Sequence, residues 1–257
     1  MILIKNKSSI NKMEKAGKLL AEIFDELSAL IRSGITTLEI NNQIALKLEQ
    51  KGLVSRSKGY MGYKYESCIS VNDEVIHGVP SLSSVLGKGD LVKIDICASW
   101  KGYCADMARQ FLIEEASSET KQLADVAQMA LDEGISKAVA GNHLSDISSA
   151  IQRVVEEHGY SVVRDFAGHG IGKKLHEEPE IPNYGKAGRG PLLRAGMTFA
   201  IEPMITAGDY NVFVAEDGWT VKTVDKSLAA HVEDTIVVTE GEPKILTRHQ
   251  VAEKKDL

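Results

Sequence analysis

The sequence lacks the features of several specialised classes of protein. Its 257 residues include only three cysteines, which form no CxxC pair and therefore indicate no disulfide framework. No apolar run approaches the roughly 20 residues that a membrane span needs, and the apolar stretch at the N-terminus is too short for a signal peptide. The formal net charge of −6 disfavours DNA as a partner. We therefore expect a cytoplasmic protein that binds neither membrane nor DNA.

What is present is the composition of an ordinary globular domain, 43% hydrophobic and 26% charged. Apolar spacing predicts helices over residues 10–31, 118–139 and 145–158, and a capping box at Thr36 and Glu39 predicts another that ends at residue 51. Strands are predicted over residues 68–72, 74–78, 160–166, 197–205, 219–223, 231–239 and 244–247, with a hairpin that reaches residue 113. The order helix, helix, strands thus occurs twice. It predicts an α+β fold with a largely antiparallel sheet covered by helices, in one domain over residues 1–257 with two similar halves.

Two aspartates lie on opposite strands of the hairpin, which we predict to begin at residue 89. If its loop is symmetric about the centre between residues 100 and 101, Asp95 faces Asp106 directly and Cys97 faces Cys104. Two carboxylates held so close repel each other unless a cation lies between them. Two divalent ions about 3.5–4 Å apart fit such a position. The alternatives are that both carboxylates are solvated, or that the two cysteines form a cross-strand disulfide.

The second half of the sequence contains three more candidate metal ligands. His169 lies in a glycine-rich loop, GHGIG, where the glycines let the backbone bend so that the imidazole points inward. Glu202 and Glu233 each lie within an otherwise apolar strand, where carboxylates are almost never fully buried unless they are paired. Together with the two aspartates they form a set of five ligands, which suits two ions such as Mn, Fe, Co or Zn better than a single zinc.

Five segments together resemble methionine aminopeptidase of type I: IDICASWKGYCAD, GHGIG, HEEP, MTFAIEPM and AAHVEDT. The resemblance covers nearly the whole chain and implies the pseudo-twofold pita-bread fold. It implies a metal-dependent aminopeptidase that removes the N-terminal initiator methionine from nascent proteins and peptides. The reaction would be hydrolysis by a water or hydroxide that bridges two divalent ions, which would be Co, Mn, Fe or Zn.

The resemblance also implies a role for each matching residue. The metal ligands would be Asp95, Asp106, His169, Glu202 and Glu233, of which Asp106 and Glu233 would bridge the two ions. The catalytic residues would be His77, His176 and Glu202, and the two histidines would also contact the substrate. The pocket for the methionine side chain would be formed by Tyr60, Tyr63, Cys68, Leu175 and Trp219. The implied partners are N-terminal methionine peptides and nascent chains, including those at the ribosome, and the implied state is a monomer.

Three positions depart from the usual pattern of the family. Met107 follows the second aspartate, where threonine is common, so a hydroxyl beside the metal site would be missing. Leu175 precedes the substrate histidine, where phenylalanine is common, and Ser57 stands where a pocket cysteine is frequent. These departures leave the five ligands intact but bear on metal affinity and on the shape of the pocket.

Three other functions stay open from the sequence. A related pita-bread peptidase would act on Xaa-Pro bonds, but such enzymes carry an additional N-terminal domain, for which the 94 residues before Asp95 leave little room. A non-catalytic binding protein on the same fold would typically have lost metal ligands. A purely structural α+β protein would leave the inward-facing acidic residues unexplained.

Overall fold

The structure of the protein is a computed structural model that describes residues 2–249. Its helices are α1 (Lys7–Ser28), α2 (Thr37–Gln50), α3 (Ser118–Ser136) and α4 (Leu144–Glu157). Its strands are β1 (Val54–Ser55), β2 (Cys68–Val71), β3 (Glu74–Ile76), β4 (Leu91–Trp100), β5 (Tyr103–Leu112), β6 (Ser161–Val162), β7 (Ala167–Gly170), β8 (Glu177–Pro182), β9 (Thr198–Ile201), β10 (Met204–Thr206), β11 (Val212–Val214), β12 (Val221–Thr223), β13 (Ala229–His231), β14 (Glu233–Val237) and β15 (Lys244–Ile245).

The four predicted helices are all present, with small differences at their ends. The predicted capping box begins α2, because the Thr36 hydroxyl accepts from the Glu39 N–H at 3.1 Å and the Glu39 carboxylate accepts from the Thr36 N–H at 2.9 Å. Helix α1 begins earlier than predicted, because the Asn6 side chain accepts a hydrogen bond from the Ser9 N–H at 3.0 Å. Among residues 2–249, no helix combines enough length and apolar character to cross a membrane.

Several strands are shorter than predicted, and four were missed, namely β1, β7, β8 and β11. The strand predicted over residues 197–205 is divided into β9 and β10, and the one predicted over 231–239 is divided into β13 and β14. The glycine-rich segment around His169, predicted as a loop, is strand β7, and it pairs with β8 and β9. Strand β8, which contains two prolines and three glutamates, was not predicted at all. The sequence pattern therefore located most of the strands, but neither their interruptions nor the strands β1, β7, β8 and β11.

One mainly antiparallel sheet joins both halves of the chain in the order β1-β4-β5-β14-β9-β7-β8. Helices α1 and α2 pack on β4 through side chains that include Leu20, Ile44 and Ile94. Helices α3 and α4 pack on β9 and β14 through side chains that include Phe199 and Ile236. The sheet thus has one face covered by helices, as an α+β fold requires, and the side chains that alternate with this core point to the opposite face. The grouping into one domain with two halves stays a prediction.

The register of the β4–β5 hairpin differs from the prediction by two residues. The connection is a two-residue turn, Lys101-Gly102, in which both residues have positive φ (50° and 76°). Asp95 therefore pairs with Ala108, and Asp106 pairs with Cys97. The predicted direct pairing of the two aspartates, and that of Cys97 with Cys104, was wrong.

The two-residue error in the register does not change which face of the sheet carries the two aspartates. Side chains alternate with a period of two, so a shift of two residues keeps Asp95 and Asp106 on the same face of the sheet, now as diagonal neighbours. The cysteines Cys68, Cys97 and Cys104 are free and buried. Met107 points away from this face and is part of the core under α1 and α2, so its departure from the family pattern lies outside the acidic cluster.

Candidate metal centre

A single cavity of about 290 Å³ is lined by every candidate site residue that the sequence singled out. Its acidic and histidine lining consists of Asp95, Asp106, Glu202, Glu233, His77, His169 and His176. The rest of the predicted set lines the same cavity, namely Tyr60, Tyr63, Cys68, Leu175 and Trp219. The structure therefore places the candidate ligands and the candidate side-chain pocket side by side.

The pairing of three strands explains how the acidic residues meet. Ala108 on β5 pairs with Asp95 on β4 and with Glu233 on β14, so the small alanine lies between two carboxylates. Asp106, two residues before Ala108, points to the same face. Its backbone is held by Thr235, whose hydroxyl accepts from the Asp106 N–H at 2.8 Å and donates to the Asp106 carbonyl at 2.9 Å. The cluster is thus built on the rigid centre of the sheet.

His169 reaches the cluster from β7, which must lie very close to its neighbouring strands. A Cβ atom on Gly168 would lie 2.5 Å from the Ala200 carbonyl oxygen, and one on Gly170 would collide with the Glu178 carbonyl. Neither glycine has a positive φ, so they are needed for close approach and not for a left-handed bend. A bulge between His169 and Gly170 shifts the register with β8, so that His169 pairs with Glu180 and Gly170 pairs with Glu177.

The geometry around His169 suits a metal ligand. Atoms of Asp106, His169 and Glu233 lie within 4.8 Å of one another, and all three residues are buried. His169 Nε2 is 3.9 Å from Asp106 Oδ2 and 3.6 Å from Glu202 Oε1. His169 Nδ1 lies 2.9 Å from the Gly170 carbonyl, which can only accept, so Nδ1 carries the proton. The unprotonated Nε2 then faces the carboxylates, as in metal-binding histidines.

The carboxylates are too deeply buried to be ionised together without cations. Burial raises the pKa of Glu202 to about 8, and burial together with the charge of Glu202 raises the pKa of Asp106 to about 7. Burial and the charge of Asp106 also raise the pKa values of Asp95 and Glu233 well above their ordinary range. The buried Glu233 Oε1 has no hydrogen-bond partner among residues 2–249. This donor set fits divalent cations, which would satisfy the unpaired oxygen and offset the repulsion.

Two further histidines line the cavity beside the acidic cluster. The His77 ring packs edge-on against Phe166, with ring centroids 5.9 Å apart, and burial lowers its pKa to about 4. The His176 ring lies 4.4 Å from the His169 ring, and its Nδ1 is 2.9 Å from the Tyr60 hydroxyl. Burial also lowers the pKa of His176. Both imidazoles are therefore neutral near pH 7, and each can offer one N–H to a bound molecule.

The remaining wall of the cavity is aromatic and uncharged. The Tyr63 and Trp219 rings meet edge to face at 4.9 Å, and the Tyr63 hydroxyl donates to the Ser67 carbonyl at 3.0 Å. Burial raises the pKa of the Cys68 thiol well above its ordinary value, so that wall carries no thiolate. Such a surface suits a flexible apolar side chain better than a charged one.

Some residues of the site were missed from the sequence. His231 is 2% exposed, and its Nε2 lies 3.5 Å from Glu202 Oε2 without a hydrogen-bond partner among residues 2–249. The alternation that placed Glu233 inside the strand also placed His231 on the same side, so a signal was present. Phe166 and Met61 also line the cavity, and nothing in the spacing of the sequence pointed to either of them.

The buried acidic cluster suits divalent metal ions, and comparison with known proteins places the chain in a class of metal-dependent hydrolases. The sequence model of metallopeptidase family M24 matches residues 11–240, so the chain belongs to this family. The chain is 45% identical over 247 residues to the methionine aminopeptidase of Clostridium acetobutylicum, which covers 96% of this chain and 99% of the relative. The predictions of a metallopeptidase, and of a resemblance to methionine aminopeptidase, are confirmed.

Comparison with solved structures supports the same family assignment. The methionine aminopeptidase of Thermotoga maritima superimposes with a TM-score of 0.95 at 43% identity, and the match covers 97% of this chain and 100% of that one. The prolidase from Pyrococcus furiosus, at 23% identity and a TM-score of 0.78, covers 96% of this chain and 66% of its own, and it shows a shared fold alone. The predicted pita-bread fold is thereby confirmed.

Proposed function

We propose that the protein is a methionine aminopeptidase that removes the initiator methionine from nascent proteins and peptides. The observation that carries this proposal is the single cavity in which a buried carboxylate and histidine cluster adjoins an aromatic, uncharged pocket. An enzyme that releases one N-terminal residue must bind the side chain of that residue next to the groups that cleave the following peptide bond, so the pocket and the acidic cluster must adjoin. The names of the relatives with which the chain shares nearly its full length support the same activity.

Two divalent ions, Co, Mn, Fe or Zn, are the proposed cofactors. The residues that would hold them are Asp95, Asp106, His169, Glu202 and Glu233. Their four carboxylates balance the charge of two divalent cations, which supports a pair of ions over a single one. When bound, the ions would lower the pKa of a water molecule and polarise the scissile carbonyl.

Glu202 is the proposed proton carrier. A carboxylate beside the proposed metal site can take a proton from the attacking water and pass it on, provided that it lies within hydrogen-bond reach of the reacting atoms. The carboxyl group lines the cavity beside His169 and His231. It would accept the proton of the attacking water and deliver it to the departing amide nitrogen.

His176 and His77 are the proposed hydrogen-bond donors to the substrate. If the Tyr60 hydroxyl donates to His176 Nδ1 across their 2.9 Å contact, His176 Nε2 keeps its proton and can donate it to the oxygen that becomes negative. His77, neutral and fixed by its contact with Phe166, would hold the peptide group that follows the methionine. Neither histidine needs to ionise for these roles.

The methionine side chain would occupy the wall formed by Tyr63, Cys68, Trp219, Tyr60 and Leu175. A thioether is polarizable and makes favourable contacts with aromatic rings, and the unbranched chain adapts to an irregular pocket. We further assign the enzyme to the cytoplasm as a monomer in one catalytic domain over residues 1–257. Its substrates there would include nascent chains at the ribosome.

The test combines metal analysis with turnover of a Met-Gly peptide. Two ions per chain and rapid release of methionine are expected, with little activity on an Ala-Pro peptide. Glu233→Gln should lose metal and at least about 100-fold in kcat, whereas Glu240→Gln, an exposed carboxylate, should change neither. No bound ion after reconstitution would favour a binding protein, and faster cleavage of Ala-Pro would favour an Xaa-Pro peptidase.

A further inference from the structure

The loop that carries His176, between β7 and β8, is folded around a single carboxylate. Glu177, the first residue of β8, accepts hydrogen bonds through Oε1 from the backbone N–H groups of Lys173 at 2.9 Å and Lys174 at 3.2 Å. The same loop is tied to β5, because the Cys104 N–H donates to the Gly172 carbonyl at 2.7 Å. The backbone before His176 is therefore shaped by its neighbour in the sequence.

The charge of this carboxylate is balanced from the other end of the chain. Lys5 Nζ lies 2.8 Å from Glu177 Oε2, and the two side chains are only 6% and 8% exposed. Lys5 is itself held in place, because its N–H donates to the Gly196 carbonyl at 2.8 Å and its Nζ donates to the Leu3 carbonyl at 3.2 Å. Removing one partner of such a buried pair leaves an uncompensated charge.

Gly172, the last glycine of the GHGIG motif, leaves the space that this pair needs. A Cβ atom there would lie 2.6 Å from Glu177 Oε1 and 2.6 Å from Lys5 Cε. The φ value of Gly172 is not positive, so this glycine makes room for the ion pair in its observed position and is not needed for the backbone conformation. The motif therefore provides both the ligand His169 and the room for the Lys5–Glu177 pair.

From these contacts we infer that Lys5 and Glu177 are positioning residues for His176. This inference rests on the proposed function, in which His176 donates to the developing oxyanion. Neither side chain lines the central cavity, so both act through the loop. They hold His176 where its Nδ1 meets the Tyr60 hydroxyl and its ring meets the His169 ring edge to face. A loosened loop would leave substrate binding nearly intact and weaken the contact that matters in the transition state.

The test is a double-mutant cycle between Lys5 and His176. Lys5→Met should lower kcat on a Met-Gly peptide by about 10- to 100-fold with little change in KM, and metal content should not change. Lys5→Arg should restore most of the activity, because a guanidinium also pairs with a carboxylate. In a His176→Ala background, Lys5→Met should have almost no further effect. The matched control is Lys88→Met, which removes an exposed ion pair with Glu115.

Hydrogen exchange provides a readout that does not depend on turnover. The N–H groups of Lys173 and Lys174 should exchange at least about tenfold faster in Lys5→Met. If that variant does not fold, Glu177→Gln keeps an oxygen acceptor, removes the charge and should show the same non-additivity with His176→Ala. An equal loss of kcat in both backgrounds, or unchanged exchange, would overturn the inference. A wild-type enzyme without turnover would refute the proposed function, while the exchange rates would still decide the role of the pair.

Discussion

Removal of the metal ions should make the protein progressively less stable as the pH rises from about 6.5 to 8. The pKa of Glu202 is raised to about 8 in the folded chain, against about 4.3 for a glutamate in an unfolded chain. The folded state therefore holds a proton that the unfolded state has lost. A group of this kind contributes its stability at low pH and loses it as the pH rises through the folded pKa.

Histidines define the lower limit of this pH window. Burial lowers the pKa values of His77, His169 and His231 to about 4, 3 and 4, whereas an unfolded histidine titrates near 6.5. Below about pH 6.5 the unfolded chain thus binds protons that the folded chain excludes, and this opposes the effect of the carboxylates. Above that pH the unfolded histidines lose their remaining protons, so their opposing effect fades through about pH 7.5 and the carboxylates dominate the upper part of the window.

The size of the expected loss of stability follows from the same difference in proton binding between the folded and unfolded states. Each proton held only by the folded state lowers the free energy of unfolding by about 1.4 kcal/mol per pH unit, so Glu202 alone accounts for roughly 2 kcal/mol between pH 6.5 and 8. For a chain of this size that corresponds to a fall in Tm of about 4–8 °C. Asp106, with a pKa raised to about 7 by burial and by the charge of Glu202, adds to the fall over the lower part of the window.

The assay is scanning calorimetry of chelator-treated and metal-loaded protein at four pH values between about 6.5 and 8. Bound cations replace the protons, so the loaded protein should show a much smaller fall in Tm and a larger excess of stability at high pH. Glu202→Gln should remove about 2 kcal/mol of the pH dependence from the metal-free protein, and Glu240→Gln should leave it unchanged. A Tm of metal-free protein that is flat or rises over this range would refute the electrostatic account of the cluster.

Four other outcomes can be measured independently. Peptides that begin with norleucine should be cleaved with a kcat/KM within about tenfold of methionine peptides, because an apolar pocket discriminates weakly between similar chains; strong rejection would contradict that pocket. His176→Ala should lower kcat by about 100- to 1,000-fold with little change in KM, and a change in KM alone would exclude the oxyanion role. Gly170→Ala should lower the free energy of unfolding in urea by about 1–3 kcal/mol, because its Cβ collides with a backbone carbonyl of β8; Gly241→Ala, with open space around it, is the control. Asp234→Ala should lose about 3–5 kcal/mol of stability, because the largely buried guanidinium of Arg109 then loses its carboxylate partner. An unchanged urea midpoint would show that this ion pair is dispensable.

The acidic face of the sheet could be predicted from the sequence despite an error in the hairpin. Nothing local distinguishes a four-residue loop around residues 99–102 from the observed turn at Lys101-Gly102, since Lys101 must adopt a positive φ of 50° for the tight turn. The consequence of the error was small because side chains alternate with an even period. Asp95 and Asp106 face the same way in both registers, and only their separation changes.

The strand that carries His169 could not be predicted by the same reasoning. Alternation is a pattern of side chains, and the segment Ala167–Gly170 has almost none to compare. Its glycines are needed for close approach to the Ala200 and Glu178 carbonyls, which belong to strands β9 and β8, and this contact exists only once the sheet is assembled. Strand β8 was missed because it is rich in glutamate and proline, which ordinarily disfavour strands.

Asp95 and Asp106 lie within the continuous β4–β5 ladder, but the other three candidate ligands lie where the regular pairing of strands shifts or stops, and this explains the limit of sequence reasoning. His169 precedes a bulge, Glu202 follows the last residue of β9, and Glu233 is the first residue of β14. A side chain at the end of a ladder can turn toward the cavity because its backbone no longer pairs on both sides. Such endings arise from contacts between the two halves, as when Glu233 pairs with Ala108 of β5. The sequence reveals that a carboxylate lies among apolar residues, but only the assembled sheet determines where each strand stops and hence where that carboxylate points.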